Sequence, residues 1–210
     1  RFYLSNFSDS SQISEAEWSN LQRKIIFRKN VNQKTNKNKK IYAFHPYWMG
    51  NSYLNYPTHL INRIGYYGYI INPYDGSDLS SKNSNLANGF TSQYLKEYSE
   101  KNKIYVDLVV GSYDIKNNIE IFEPTKRASK VRCNAIYNIV NLVQKNGNGV
   151  CFDIQKVPVK YKQQYINMIY EISERLDTDL DKKYNISVII PTFDVGVPHN
   201  FNLQDYKFLK

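Results

Sequence analysis

From position 41 onward, short runs of apolar, β-branched and aromatic residues alternate with longer stretches whose apolar residues recur every three or four positions. That alternation predicts strands interleaved with helices, and hence a parallel sheet with helices packed against it. Five strands are predicted, at 40–47, 63–71, 103–111, 149–157 and 186–192. Between the third and fourth, Thr125-Lys126-Arg127 leads into Val131, Ala135, Ile136, Ile139, Val140 and Val143, one apolar helical face that Lys145-Asn146-Gly147 ends. Between the fourth and fifth, Tyr161, Tyr165, Met168, Ile169, Ile172 and Leu176 repeat the spacing before the polar turn 177–183. The fold class is α/β. Periodicity alone leaves a (β/α)8 barrel and a doubly wound sheet both open.

Before position 41 the pattern is different. Residues 1–22 are rich in Ser, Asn and Asp, and Ser14 with Glu17 has the spacing of a capping box. Residues 23–40 hold eight basic side chains (Arg23, Lys24, Arg28, Lys29, Lys34, Lys37, Lys39, Lys40), no acid and no apolar period. They read as a solvated basic linker. The organisation is therefore an extension (1–22), a linker (23–40) and a folded body (41–210). This division changes the meaning of the +9 net charge. Removing the eight linker residues from the 28 Lys and Arg leaves 20 against 19 acids in the other 192 residues, so the chain outside the linker is nearly neutral and no specific nucleic-acid binding is expected of the body. A 41% hydrophobic content excludes a wholly disordered chain. No run approaches the ~18 consecutive apolar residues of a membrane-spanning helix. Cys133 and Cys151 are too few for a disulfide scaffold and lie in no metal-ligand spacing, so no metal is expected.

The fourth strand carries the chemistry. In Asn148-Gly149-Val150-Cys151-Phe152-Asp153-Ile154-Gln155 the even positions are apolar and should face the helices. Gly149, Cys151, Asp153 and Gln155 then face the other side, with the last two nearest the C-terminal end, where barrel active sites lie. Asp153 is either a structural cap, since buried polar groups must be paired, or part of a site.

This segment resembles the signature of glycoside hydrolase family 18, the chitinase and endo-N-acetylglucosaminidase group, especially its bacterial cell-wall and spore-associated branch. The resemblance runs over 40–210. It includes the first strand Ile41-Tyr42-Ala43-Phe44-His45-Pro46-Tyr47-Trp48, the second strand with Asn72-Pro73-Tyr74-Asp75-Gly76, and the fifth strand from Ile186 to Pro191. The family signature is Asp-Gly-x-Asp-x-Asp-x-Glu. Asn148 stands at its first Asp, Gly149 matches, Cys151 replaces the inner Asp, Asp153 matches and Gln155 replaces the Glu. The resemblance implies a (β/α)8 barrel, of which five strands are present, and no cofactor. In the family the Glu protonates the glycosidic oxygen while the Asp orients the substrate's acetamido group. A Gln amide cannot act as a general acid. Three departures in one signature imply a diverged pseudoenzyme.

Such a domain is expected to bind an N-acetylglucosamine-containing glycan (chitin, peptidoglycan or an N-glycan) through Asp153, Gln155 and the strand-end aromatics Tyr47, Trp48, Tyr69, Tyr74 and Tyr113. Trp48, directly after the first strand, is the best placed of these. Two further readings stand beside this one. The domain is a scaffold in an envelope assembly, docking protein partners through the arm 23–40, or it is a residual chitinase-like glycosidase. Because the family is mostly exported, a periplasmic, surface or extracellular location is implied. His45 is a candidate interior partner for Asp153. Cys151 reads as a small buried thiol, and a bond from it to Cys133 is not expected. A full barrel needs eight strands and ~250 residues, so the protein is expected to continue beyond position 210, or else its open edge is covered by a partner.

Overall fold

The computed structural model describes residues 41–79, 87–179 and 182–190, all within the unit Lys39–Lys210. The predicted capping box at Ser14, the basic linker and the last residues of the fifth predicted strand lie outside the described residues.

Five strands form one parallel sheet in sequential order: β1 (Tyr42–Pro46), β2 (Arg63–Ile70), β3 (Tyr105–Ser112), β4 (Gly149–Ile154) and β5 (Asn185–Val188). Four helices follow the pattern: α1 (Gln93–Asn102), α2 (Ile115–Phe122), α3 (Lys126–Asn146) and α4 (Lys162–Asp177). A strictly sequential parallel order with helical crossovers is the winding of a (β/α)8 barrel.

The helices start where capping side chains replace missing backbone partners. Ser92 accepts from the Leu95 amide, Asp114 from the amides of Lys116 and Asn117, and Thr125 from the Ala128 amide. Each such cap stabilises its helix by about 1 kcal/mol. The apolar face predicted for α3 is the buried one, with Ala128 added. The same holds for α4 from Tyr165 to Leu176, whereas Tyr161 closes a 3-10 turn before it. Helix α1 was not predicted because only Leu95 and Ser99 of its ten residues are buried, and a single apolar anchor gives no period. Helix α2 is too short at eight residues to establish one.

The core lies between the sheet's outer face and the helices. Val150, Phe152 and Ile154 of β4 pack there with Ile64, Tyr66, Val106, Leu108 and Val110 and the buried faces of α3 and α4. Cys151 and Asp153 point to the inner face, as the alternation in β4 requires.

One irregularity matters for the site. In β2, Tyr67 pairs with Val109 but Tyr69 pairs with Val110, so Gly68 is an extra residue, a β-bulge. The bulge reverses the parity of everything after it. Tyr67 faces inward, while Tyr69 joins Tyr66 in the outer core.

Candidate functional site

The inner face is built in layers. At the N-terminal ends of the strands, Asp107 of β3 is fully buried and forms an ion pair with Arg63 of β2. The same carboxylate accepts from the Tyr42 hydroxyl at 3.0 Å and the Asn185 amide at 3.2 Å. Burial pushes the Asp107 carboxyl up from its usual range, and Arg63 and the hydrogen bonds oppose that rise. Gly149 sits opposite Asp107 in the register. A Cβ on it would lie 2.2 Å from the Asn185 carbonyl oxygen and 2.7 Å from Asp107 Oδ1, so close approach is what demands glycine there. Asn148, just before it, accepts from the Val106 amide at 2.9 Å and so ties β4 to β3.

The middle layer holds Cys151, a free and buried thiol hydrogen-bonded with Ser187 and Tyr42. Burial raises its pKa, which keeps it a thiol and removes it as a nucleophile. Cys133 is free and exposed on α3.

At the C-terminal ends stands Asp153, only 4% exposed. Tyr67 donates to its Oδ2 at 3.1 Å and Gln155 Nε2 to its Oδ1 at 2.8 Å, and Tyr113 is also hydrogen-bonded to it. Burial, reinforced by the adjacent carboxylate, holds both phenols above the ordinary tyrosine range, so they remain donors. The Gln155 carbonyl is fixed by the buried Asn118 of α2, and Lys156 follows in a left-handed conformation at φ 59°. The end of β4 is thus locked, and Gln155 is held against Asp153.

Tyr67 and Tyr113 also line a cavity of about 190 Å³, together with Tyr47, Trp48, Gly68, Tyr69 and Ile70. Trp48 is 69% exposed and meets Tyr47 edge to face with ring centroids 4.8 Å apart. A cavity below the ~300–1,000 Å³ of a complete ligand pocket suits part of a ligand. Its aromatic wall suits an apolar ring face.

Among the predicted stacking residues, then, Tyr47, Trp48, Tyr69 and Tyr113 all border the cavity. The bulge turns the Tyr69 side chain into the core, where it is 1% exposed and donates to the Gly76 carbonyl at 2.7 Å, so Tyr69 borders the cavity without presenting an exposed ring. Tyr74 is 75% exposed on the loop after β2 and does not line the cavity. His45 is not an interior partner of Asp153. It lies on the outer face, fully buried, with Nδ1 against the Tyr56 hydroxyl and Nε2 against the Gly50 carbonyl, both at 3.0 Å. Tyr67 is the site residue the sequence reading missed, and its signal was inward parity with Gly65 on β2. Among the described residues no cluster of three or more His, Cys, Asp or Glu could hold a metal.

Solved structures share this architecture. The spore cortex-lytic enzyme SleL of Bacillus megaterium QM B1551 matches with a TM-score of 0.55 at 13% identity, over 80% of this chain and 38% of that one. A chitinase from Bacteroides thetaiotaomicron matches with a TM-score of 0.52 at 11% identity, over 71% of this chain and 45% of that one. The fold is GH18-like, part of a (β/α)8 barrel. A doubly substituted GH18 chitinase from Cycas revoluta, in complex with (GlcNAc)4, also matches, with a TM-score of 0.52 at 12% identity, over 79% of this chain and 51% of that one. The chain spans roughly two-fifths to one-half of the length of these proteins. No protein-family model and no curated protein matches the sequence. Among the described residues no helix is long and apolar enough to cross a membrane.

Proposed function

We propose that this GH18-like domain binds an N-acetylglucosamine-containing glycan without hydrolysing it. The observation that carries the reading is the joining of an aromatic wall (Tyr47, Trp48, Tyr67, Tyr113) to a carboxylate whose neighbour is an amide. Asp153 is satisfied by two phenols and the Gln155 amide, and that amide, which stands at the signature's acid position, cannot protonate a leaving oxygen. General acid catalysis contributes about 10²–10⁴ in rate, so the arrangement favours retention over turnover. The (GlcNAc)4 complex of the Cycas revoluta chitinase supports the ligand class. Glycans of this class are extracellular or envelope polymers, and the reading therefore includes export of the protein.

The test is a pulldown on chitin and on peptidoglycan with the wild type and Trp48→Ala. Losing one central aromatic contact should cost about 2 kcal/mol, roughly thirtyfold in affinity. Absence of wild-type binding to both polymers sinks the proposal. A fluorogenic chitobioside tests inactivity. Turnover by the wild type that Asp153→Ala abolishes would make the protein a glycosidase instead.

A further inference from the structure

We propose that the end of the sheet opposite this cleft carries a second binding site, a lysine-walled groove that takes an anionic glycan. The groove has a volume of about 630 Å³ and lies where α1 and α3 end and β3 and β4 begin. β3 is eight residues long. At ~3.3 Å per residue, it separates the groove from the cleft by roughly 26 Å.

Four exposed lysines line it: Lys96 of α1, Lys103 at its cap, Lys145 in the last turn of α3, and Lys182 after α4. Among the described residues, the only acid in the lining is Glu100. Part of this charge serves the fold, because cations complement helix C-termini. Lys182 does so directly, donating from Nζ to the Gln144 carbonyl at 3.1 Å. The ammonium groups of Lys96, Lys103 and Lys145 make no ion pair or hydrogen bond with any described residue. Three ammonium groups without an ion-pair partner among the described residues, facing the single carboxylate of Glu100 around one concavity in a body (41–210) with 19 basic and 16 acidic residues, form a local positive field.

The remaining lining narrows the ligand. Tyr105 is 55% exposed and offers a ring face, its other partner being the Arg63 guanidinium 4.8 Å from the centroid. Asn148 uses Oδ1 on the Val106 amide and Asn146 uses Nδ2 on the Leu142 carbonyl, which leaves one donor and one acceptor amide group facing the groove's polyol-sized space. Ring stacking, hydroxyl-reading amides and scattered point charges fit a sugar or polyol polymer bearing carboxylates or phosphates. Nucleic acid fits less well. Among the described residues no arginine lines the groove, and none there supplies the bidentate fork that phosphodiester recognition favours.

The experiment uses the full chain and labelled polygalacturonate and poly(glycerol phosphate), with duplex DNA as a third probe. The wild type should bind at least one of the two polymers at about 50 mM salt, more weakly as salt rises. Which one it prefers identifies the anion as carboxylate or phosphate. The triple variant Lys96→Gln, Lys103→Gln, Lys145→Gln should bind at least about fivefold more weakly. Lys96→Glu alone, on an exposed helical face, should bind more weakly than Lys96→Gln. A variant with Lys34, Lys37, Lys39 and Lys40 all changed to Gln separates the basic linker from the groove, and in it the effect of the triple substitution must persist. No binding of either polymer overturns the proposal, as does equal binding by the triple variant. Lysine-dependent binding to DNA that is tighter than to both polymers would also overturn it. Trp48→Ala should leave this binding unchanged, so the groove and the cleft succeed or fail separately.

Discussion

Replacing His45 with Phe keeps a ring of similar size in the outer core and deletes two polar contacts. Nε2 of His45 meets the Gly50 carbonyl and so carries the proton, while Nδ1 accepts from Tyr56. Those two bonds fasten the 3-10 turns Tyr47–Met49 and Ser52–Asn55 onto β1, and the first of these carries the Tyr47 and Trp48 wall of the cleft. At about 1 kcal/mol net for each bond, His45→Phe should lose about 2 kcal/mol. For a chain of this size that is a fall in Tm of roughly 4–8 °C. The imidazole also titrates. Burial lowers its pKa below the usual 6.5, opposed by the Gly50 hydrogen bond, and its ring neighbours Tyr53, Tyr56 and Tyr66 offer no negative charge to hold an imidazolium. The unfolded chain therefore binds the proton first as pH falls. The stabilisation is complete above about pH 6.5 and is lost as pH drops toward the lowered folded value. Thermal unfolding of wild type and variant at about pH 7.5 and pH 5 should give a gap that narrows in acid, and amide exchange in 47–56 should quicken in the variant. Equal Tm values, or a gap that does not change with pH, would refute the account.

Other positions give equally direct outcomes. Gly149→Ala places a methyl against the Asn185 carbonyl and Asp107, and should destabilise by about 1–3 kcal/mol in urea unfolding. Asp107→Asn leaves the Arg63 charge buried without its counter-ion and should lose about 3–5 kcal/mol, whereas the double change Arg63→Met, Asp107→Leu should recover most of it. Gln155→Glu sets a second carboxylate against Asp153, so one of the pair is held protonated. The variant's stability should then fall, relative to wild type, as pH rises from about 5 to 7.

Much of this was legible in the chain. Strand positions followed from β-branched and aromatic runs, and the two long helices from faces whose spacing matches their burial. The inward side of β4 followed from alternation alone, because Val150, Phe152 and Ile154 have one destination in a sheet covered by helices. Alternation failed where its premise failed. The parity of β2 is reset at Gly68, so the phenol that reaches Asp153 is that of Tyr67, which was overlooked, while Tyr69 borders the cavity from a ring held in the core. His45 was assigned inward because a polar residue in a strand suggests the polar side, yet the 3-10 turns after β1 supply it with partners on the outer side. The Arg63–Asp107 layer joins residues 44 positions apart, and only the register of β2 against β3 brings them together.

The bulge at Gly68 has a bearing on redesign of the cleft. Neighbouring tyrosines on either side of one glycine are anchored in different places, Tyr67 on Asp153 and Tyr69 in the core on the Gly76 carbonyl, and the backbone between them transmits any displacement. A library that varies Tyr67 therefore samples the packing of the core as well as the shape of the wall. Diversity introduced at Trp48, which is 69% exposed and outside the core cluster, samples the wall with the least disturbance of the core.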